Sequence, residues 1–304
     1  MTSGRVADVG RAVAGDLVPL VGIENTLTRL SGYRAATTEA ETFSGAMQNT
    51  LSVLDALSNE IAPALLGAAN SGNAATIAIL AQDASQKFDS AVNALNTRIG
   101  DRTLFAGVAI DGPALADPET ILAALEAAIA GAGAVTANDI AAAVTNWFAD
   151  PAGYATAGYL GGDGLSALAV SADDRVNLTL TAADPAIGDT LKGLALATLL
   201  DRGLLASNHT ERAALAQKAG AALIQSQTDR TEIAARLGTT QARIEAASVR
   251  NDSERSALEI ARAGLLAVDP FEAATRLEAT QSQLEALYAV TARLSRLSLV
   301  DFLR

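Results

Sequence analysis

The chain of 304 residues has no cysteine and only one histidine. The absence of cysteine excludes disulfides and thiolate metal sites, and a single imidazole disfavours a histidine-rich metal site or a Ser/His/Asp relay. Basic residues are also scarce, since 22 Lys and Arg stand against 34 Asp and Glu and leave a formal net charge of −12. Because nucleic-acid-binding proteins present basic stripes to phosphates, and no such stripe occurs here, the sequence disfavours a nucleic-acid partner.

Aromatic residues make up only 4% of the chain, although 50% of all residues count as hydrophobic. This composition, rich in alanine, suits helices that approach closely better than it suits a bulky globular core. The longest uncharged run lies between Glu60 and Asp83, and Asn-Ser-Gly-Asn at its centre indicates a turn between helices. The sequence therefore predicts no membrane span, and no signal-peptide-like apolar segment occurs at the start.

Apolar residues at steps of three and four predict two long helices in the first hundred residues. The first stripe covers residues 23–61 and the second covers residues 77–99, with the turn at 70–73 between them. Two amphipathic helices joined by so short a turn form an antiparallel hairpin. We therefore expect residues 1–102 to supply the N-terminal half of a helical rod.

The segment 103–205 is richer in glycine and proline and predicts shorter elements. Asp117, Thr136 and Asp184 stand where helix N-caps are expected, because a run of helix-forming residues follows each of them. Residues 176–181 alternate between apolar and polar, which predicts a half-buried β-hairpin that turns near the sequence Ala-Asp-Asp. This segment is predicted to be a small inserted α+β domain.

Helical patterning returns in residues 206–268, after a predicted cap at Asn208. The next proline is Pro270, which follows Asp269 in a cap-then-proline arrangement, so we expect a break or hinge at these two residues. The segment 269–304 then carries an apolar stripe at Leu284, Leu287, Leu294, Leu297, Leu299 and Phe302. Such a stripe is usually intramolecular core, but no partner helix for it is obvious in the sequence, which favours an assembly interface. The predicted fold class is mainly α, a long antiparallel helical rod built from both chain ends with an α+β insertion.

Several short sequences resemble bacterial flagellins and flagellin-like hook–filament junction proteins. The most specific is "LSRLSLVDFL" near the carboxyl end, supported by "RLGTTQARIEAA" in the helix before it. "IGDRTLFAG" at 99–107 is similar to the exit of the second long helix in junction proteins. "AANSGNA" and the initial "MTSGRVADVG" also resemble family segments. The resemblance covers about 1–107 and 206–304, while the insertion matches weakly.

The resemblance implies a structural component of the bacterial flagellum that acts outside the cell and performs no catalysis. In this family, subunits are exported unfolded and stack into a tube, with terminal helices inside and the insertion outside. The expected partners are further copies, a neighbouring junction protein and flagellin, with an export chaperone possible. Family members carry one more N-terminal helix, absent from this sequence, so the stripe is expected to be half of a coiled coil whose other half is missing.

Three functions remain open on the sequence alone. A junction subunit between hook and filament is favoured by the "DRTLFAG" exit and the modest insertion, and a filament flagellin is the nearest alternative. A helical scaffold unrelated to flagella is disfavoured because its stripe would show sustained heptads with charged flanks. An enzyme, a cofactor or a metal site is not expected, since His209 lies in a capping sequence, "GYLGGDG" lacks the phosphate-loop lysine, and Asp173 and Asp174 lie in a turn.

Overall fold

The computed structural model describes residues 16–267 and 270–301, and within them the fold is mainly α. Seven α-helices occur in the described residues: α1 Val18–Ser71, α2 Ala74–Leu95, α3 Pro118–Gly131, α4 Ala137–Ala149, α5 Pro185–Asp201, α6 His209–Leu266 and α7 Pro270–Asp301. Four two-residue strands form two antiparallel pairs: β1 Arg98–Ile99 with β2 Arg102–Thr103, and β3 Leu168–Ala169 with β4 Arg175–Val176. The predicted fold class is confirmed.

The chain divides into two compact units. The larger contains Tyr33–Arg250, and the smaller contains the residues up to Gly32 together with those from Asn251 onward. In the smaller unit, Leu20 and Leu30 of α1 are buried, and Arg262 of α6 forms an ion pair with Glu24 of α1. The division into 1–102, 103–205, 206–268 and 269–304 expected from the sequence remains a prediction.

The helical hairpin predicted from the first hundred residues is confirmed. Gly72 adopts φ +62° at the turn, a left-handed conformation that glycine reaches without strain. The Asn73 side chain then accepts hydrogen bonds from the backbone N–H groups of Ala75 and Thr76, both at 3.1 Å, and so caps α2. Further along the hairpin, Lys87 Nζ of α2 lies 2.7 Å from Glu60 Oε2 of α1.

In the larger unit, α6 packs antiparallel to α1. The Arg230 guanidinium of α6 contacts Asp55 of α1, and ten residues earlier Gly220 lies against α1, where an added Cβ would be 2.9 Å from the Ala62 carbonyl oxygen. Residue numbers thus rise along one helix as they fall along the other. Both ends of the chain contribute to this helical pair, as the sequence predicted.

The insertion begins its helices where the sequence predicted caps. Asp117 accepts from the Thr120 N–H, Asp184 accepts from the Ala186 N–H, and Thr136 forms a reciprocal capping box with Asp139. The predicted β-hairpin is also present, with Leu168 opposite Val176 and the turn at the two aspartates. Val176 and Leu178 are buried while Asn177 and Thr179 are exposed, so the predicted alternation is confirmed up to Thr181, which is buried.

The glycine-rich loop at 158–164 packs closely against the segment that leaves the second helix. Gly107 has φ +59°, and a Cβ there would collide with the Asp163 carbonyl oxygen, while one on Gly164 would lie 2.6 Å from the Thr179 carbonyl oxygen. The loop is therefore a packed turn, and its glycines are required by the approach of neighbouring backbone rather than by a phosphate.

The core of the larger unit centres on α5. Thirteen of its 17 residues are buried, which is possible because α2 packs along it and α4 and α6 cover other faces. Close packing of α6 depends on Gly193, where a Cβ would meet the Leu223 side chain at 2.7 Å. Around α5 the chain supplies its own partners on nearly every side.

Candidate assembly interface

Helix α7 differs from the other helices because its side chains are exposed around the whole circumference. Every residue from 274 to 295 is exposed, whichever face of the helix it lies on. An isolated helix of this kind has little to stabilise it, since most helical stability in proteins comes from packing of an apolar face. The exposure of this helix, expected from the sequence, is present throughout these 22 residues.

Three of the predicted interface residues share one face of α7. Leu284, Leu287 and Leu294 are 47%, 62% and 62% exposed, and Leu277, seven residues before Leu284, is 43% exposed. Spacings of three, four and seven place these side chains within about 100° of the helix circumference. The structure therefore brings together the described part of the predicted stripe.

Two threonines make this face continuous. Thr280 and Thr291 lie between the leucines, so that positions 277, 280, 284, 287, 291 and 294 follow one another at alternating steps of three and four. The Thr280 hydroxyl donates to the Arg276 carbonyl oxygen at 2.8 Å, and the Thr291 hydroxyl donates to that of Leu287 at 2.7 Å. Because each hydroxyl is occupied by its own helix, the face is largely apolar. We call these six residues the α7 seam.

The remaining predicted residues are only partly covered by the structure. Leu297 and Leu299 lie within the α7 span, but their side chains fall outside the described set, as does the whole of Phe302. Of the predicted hinge, Asp269 also lies outside the described residues, whereas Pro270 begins α7. One helix ends at Leu266 and the next begins at Pro270, and the hinge between them stays a prediction.

The sequence did not predict several exposed apolar residues on α7. Leu277 belongs to the seam, and Phe271, Tyr288 and Val290 are also well exposed. Extending the seven-residue spacing back from Leu284 would have identified Leu277, and a step of four from Leu284 would have placed Tyr288 beside the seam. Phe271 and Val290 lie off the seam spacing, so the stripe pattern gave no signal for them.

The other polar residues considered from the sequence form contacts that belong to the fold. Asp174 of the hairpin turn faces the guanidinium groups of Arg243 and Arg250 on α6, and the backbone N–H of Glu211 donates to the Asn208 side chain that caps this helix. The Glu211 carboxylate accepts from the Ala137 N–H at 2.6 Å, so it caps α4 instead of closing a box on its own helix. His209 is the first residue of α6.

Metal-binding and membrane-spanning features were sought in the part of the chain that the structure describes. Among those residues, no group of three or more His, Cys, Asp or Glu side chains is placed to hold a metal ion. None of the described helices combines the length and apolar character needed to cross a bilayer.

Comparison with known proteins agrees with this geometry. Residues 220–303 match the family model of the bacterial flagellin C-terminal helical region, a range that includes most of α6 and all of α7. None of the curated proteins compared with the chain matches it.

Two solved structures are similar to the chain. One is a Vibrio parahaemolyticus protein described as a flagellar hook-associated protein, with a TM-score of 0.54, 12% identity, and coverage of 80% of this chain and 94% of that one. The other is Bacillus cereus FlgL, with a TM-score of 0.55, 12% identity, and coverage of 78% and 97%. Residues 220–303 are therefore similar to the bacterial flagellin C-terminal helical region, and the fold of the chain is similar to that of these two solved structures.

Proposed function

We propose that this protein is the junction subunit that connects the hook of the bacterial flagellum to its filament, most like hook-associated protein 3. It acts by helical self-assembly with further copies and with neighbouring axial proteins, and it carries out no catalysis. The observation that carries the proposal is the α7 seam, an ordered apolar face on a helix whose described side chains are exposed.

The energetics of the seam favour an assembly with many contacts over a simple pair. Its four leucines are about half exposed, so burying the rest is worth roughly 1 kcal/mol each, or about 4 kcal/mol in all. Association of two free molecules costs an estimated 4–15 kcal/mol in lost motion. Two seams packed against each other would gain about 8 kcal/mol, which lies within this cost, so a lattice that adds several contacts per subunit is favoured over an isolated pair.

A coiled-coil partner fits the seam best. Alternating steps of three and four over 18 residues are the spacing at which a second helix packs knobs into holes. We propose that Leu297, Leu299 and Phe302 extend the same interface toward the carboxyl end, and that Asp269 and Pro270 act as the hinge. We also propose that the protein is exported from the cell and that an export chaperone covers α7 before assembly.

Deletion of the gene tests the flagellar role. The expected phenotype is loss of swimming with hooks still present and flagellin released into the medium, because filaments cannot attach without the junction. A deletion strain that swims normally contradicts the proposal. Complementation with the Leu287→Lys variant should fail, whereas complementation with Ser282→Lys, on the opposite face of the same helix, should restore swimming.

Labelling separates the junction role from the nearest alternative, a filament flagellin. The two proteins share the C-terminal helical region, so the family match does not separate them. An antibody to the insertion should mark a single point at the base of each filament. Labelling along the whole filament would assign the chain to flagellin instead.

Limited proteolysis tests the purified protein without an assembly. Cleavage is expected near residues 268–271 before the larger unit is cut, because an exposed helix opens at lower free energy than a buried core. Resistance to cleavage at these residues would mean that α7 packs against another part of the chain or against a second copy.

A further inference from the structure

The larger unit contains a fully buried arginine that the assembly role does not use. Arg230 lies in α6, and only 2% of its surface is exposed. Arginine is rarely buried without a partner, since taking a guanidinium out of water carries a penalty of several kcal/mol. Burial accordingly lowers the pKa of this guanidinium, and the Asp55 carboxylate opposes that shift.

Three helices supply the acceptors for Arg230. Its Nη1 donates to the Thr190 hydroxyl of α5 at 3.1 Å and to the Ser226 hydroxyl of α6 at 2.6 Å. Its Nε and Nη2 donate to Asp55 Oδ1 of α1 at 3.4 and 3.3 Å. One guanidinium therefore joins α1, α5 and α6 at a single level of the core.

The two hydroxyl groups are fixed in the orientation that the guanidinium needs. Thr190 Oγ1 donates its proton to the Ala186 carbonyl oxygen at 2.8 Å, and Ser226 Oγ donates to that of Leu223 at 3.0 Å. Each hydroxyl has only one proton, so its remaining lone pairs face Arg230 as acceptors. The polar network is complete only when the three helices are aligned as they are.

A shift by one helical turn would remove these acceptors. Moving Arg230 about 5.4 Å along α1 takes it from Asp55 to the level of Leu51 or Asn59, neither of which carries a charge. On α5 the same shift replaces Thr190 by Ala186 or Leu194. The guanidinium would then be buried without its carboxylate, which is strongly unfavourable.

The covalent chain does not set the alignment of α6 against α1, whereas only residues 202–208 join α5 to α6. Helices α1 and α2 are joined by a short turn at Gly72, so their relative position follows from the turn. Asp55 and Arg230 are 175 residues apart, and the insertion lies between their helices.

From these contacts we propose that Arg230 is a positioning residue that selects the axial register of α6 against α1. Its contribution is to exclude shifted alignments and not to raise the stability of the correct one. Removing a buried charge together with its hydrogen bonds can leave stability unchanged or increased when an apolar side chain fills the space. The register role and the stability role are therefore separable by experiment.

Distance measurements between spin labels test the register directly. The chain has no cysteine, so Asn49→Cys on α1 and Gln217→Cys on α6, both at exposed positions, supply the only thiols. Double electron–electron resonance should give one narrow distance in the otherwise unchanged protein. In the Arg230→Met variant we expect a second distance, or a broadening, displaced by about 5.4 Å.

The Arg230→Met variant should remain folded. Thr190 and Ser226 keep the hydrogen bonds to their own helices, and the Asp55 side chain is 42% exposed and can be solvated. The thermal midpoint is therefore expected to stay equal or rise while the distance distribution changes. A single unchanged distance in this variant overturns the proposal.

Lys87 provides a matched control. It is also a buried cation, paired with Glu60 of the neighbouring helix, but it lies in the hairpin whose alignment the turn determines. With labels at Asn49→Cys and Gln82→Cys, the Lys87→Met variant should keep one narrow distance. A register change there as large as that of Arg230→Met would also overturn the proposal, since it would show no special role for Arg230.

A second variant decides the matter if Arg230→Met loses its helical circular dichroism. Thr190→Val removes one hydroxyl acceptor on α5, preserves the side-chain volume and leaves the arginine in place. In this variant the distribution of the α1–α6 distance should broaden, but by less than the change expected for Arg230→Met. An unchanged narrow distance in a folded Thr190→Val protein contradicts the register role.

Discussion

Helices α5 and α7 are both rich in leucine, but they differ in how far their side chains are buried. Thirteen of the 17 residues of α5 are buried, whereas the described side chains of α7 from 274 to 295 are exposed. Leucine content does not distinguish the two helices. What distinguishes them is that α2, α4 and α6 supply packing faces for α5.

The difference shows that similar apolar surface has two fates in this chain. Around α5, apolar area is removed from water when the chain folds, which stabilises the monomer. On the described part of α7, the same kind of area is in contact with water and is available to another molecule. Burial therefore separates the residues that stabilise the fold from those that the proposed assembly would use.

The largest expected effect comes from truncating one leucine in each helix. Leu194 of α5 is completely buried, so Leu194→Ala should lower the free energy of unfolding by about 2–5 kcal/mol through lost burial and the cavity left behind. Leu287→Ala on α7 should change it by no more than about 0.5 kcal/mol. Urea unfolding followed by circular dichroism measures both.

In an assembly assay we expect a marked effect from Leu287→Ala, the variant that hardly changes the free energy of unfolding. It should weaken polymerisation of otherwise folded subunits, measured by sedimentation. A loss of 2 kcal/mol or more from Leu287→Ala in the dilute monomer would mean that α7 packs within the chain, and the contrast between the helices would fail.

Glycine substitutions should change stability by less, and they compare a closely packed position on α5 with an open position on α6. Gly193→Ala on α5 would place a Cβ 2.7 Å from the Leu223 side chain and 3.3 Å from its backbone nitrogen. Overpacking of this kind should destabilise by about 1–3 kcal/mol. Gly238→Ala on α6 meets no atom within 4 Å and should stabilise by about 0.5–1 kcal/mol, because alanine is the better helix former.

Thermal denaturation of the two glycine variants should therefore show midpoints that move in opposite directions. Equal shifts of the same sign would indicate that α5 and α6 can separate slightly, and that the packing around α5 is looser than its burial suggests.

The sequence predicted the helices and their caps well because these depend on local chemistry. Asp117, Thr136 and Asp184 cap the helices that follow them, as expected, since a side-chain oxygen two or three residues before a backbone N–H needs no tertiary context. Period-two alternation likewise located the hairpin around Val176.

Long-range partners were harder to predict. Arg230 occupies a stripe position, after Leu223 and Ser226 and before Ile233 and Leu237 at steps of three and four, which could have marked it as buried. Its partner Asp55 lies 175 residues away, and no spacing links the two. The sequence predicted only part of the α7 seam, because threonine is a polar residue in a sequence pattern. Only the structure shows that the hydroxyl groups of Thr280 and Thr291 are bonded to carbonyl oxygens of their own helix.

The smallest expected effect concerns acid stability at the carboxyl end of α5. Arg202 follows this helix, and its guanidinium donates to both oxygens of Glu119 on α3, at 2.7 and 2.9 Å, and also contacts Glu126. These hydrogen bonds, and then the positive charge, lower the pKa of Glu119 below its ordinary value of 4.5. A carboxylate with a lowered pKa contributes stability above pH 4.5, and that contribution disappears as the pH falls from 4.5 through the folded value.

The Glu119→Gln variant should therefore lose part of its stability at pH 7 and show a shallower decline below pH 4.5 than the unchanged protein. The effect is small because the Glu119 side chain is 71% exposed and solvent screens the pair. Glu278→Gln on α7 is the matched control, since no ion pair involves this carboxylate among the described residues. Chemical denaturation from pH 3 to pH 7 should leave its profile unchanged, and an equal flattening in both variants would show that general charge repulsion, and not the Arg202 contact, governs acid unfolding.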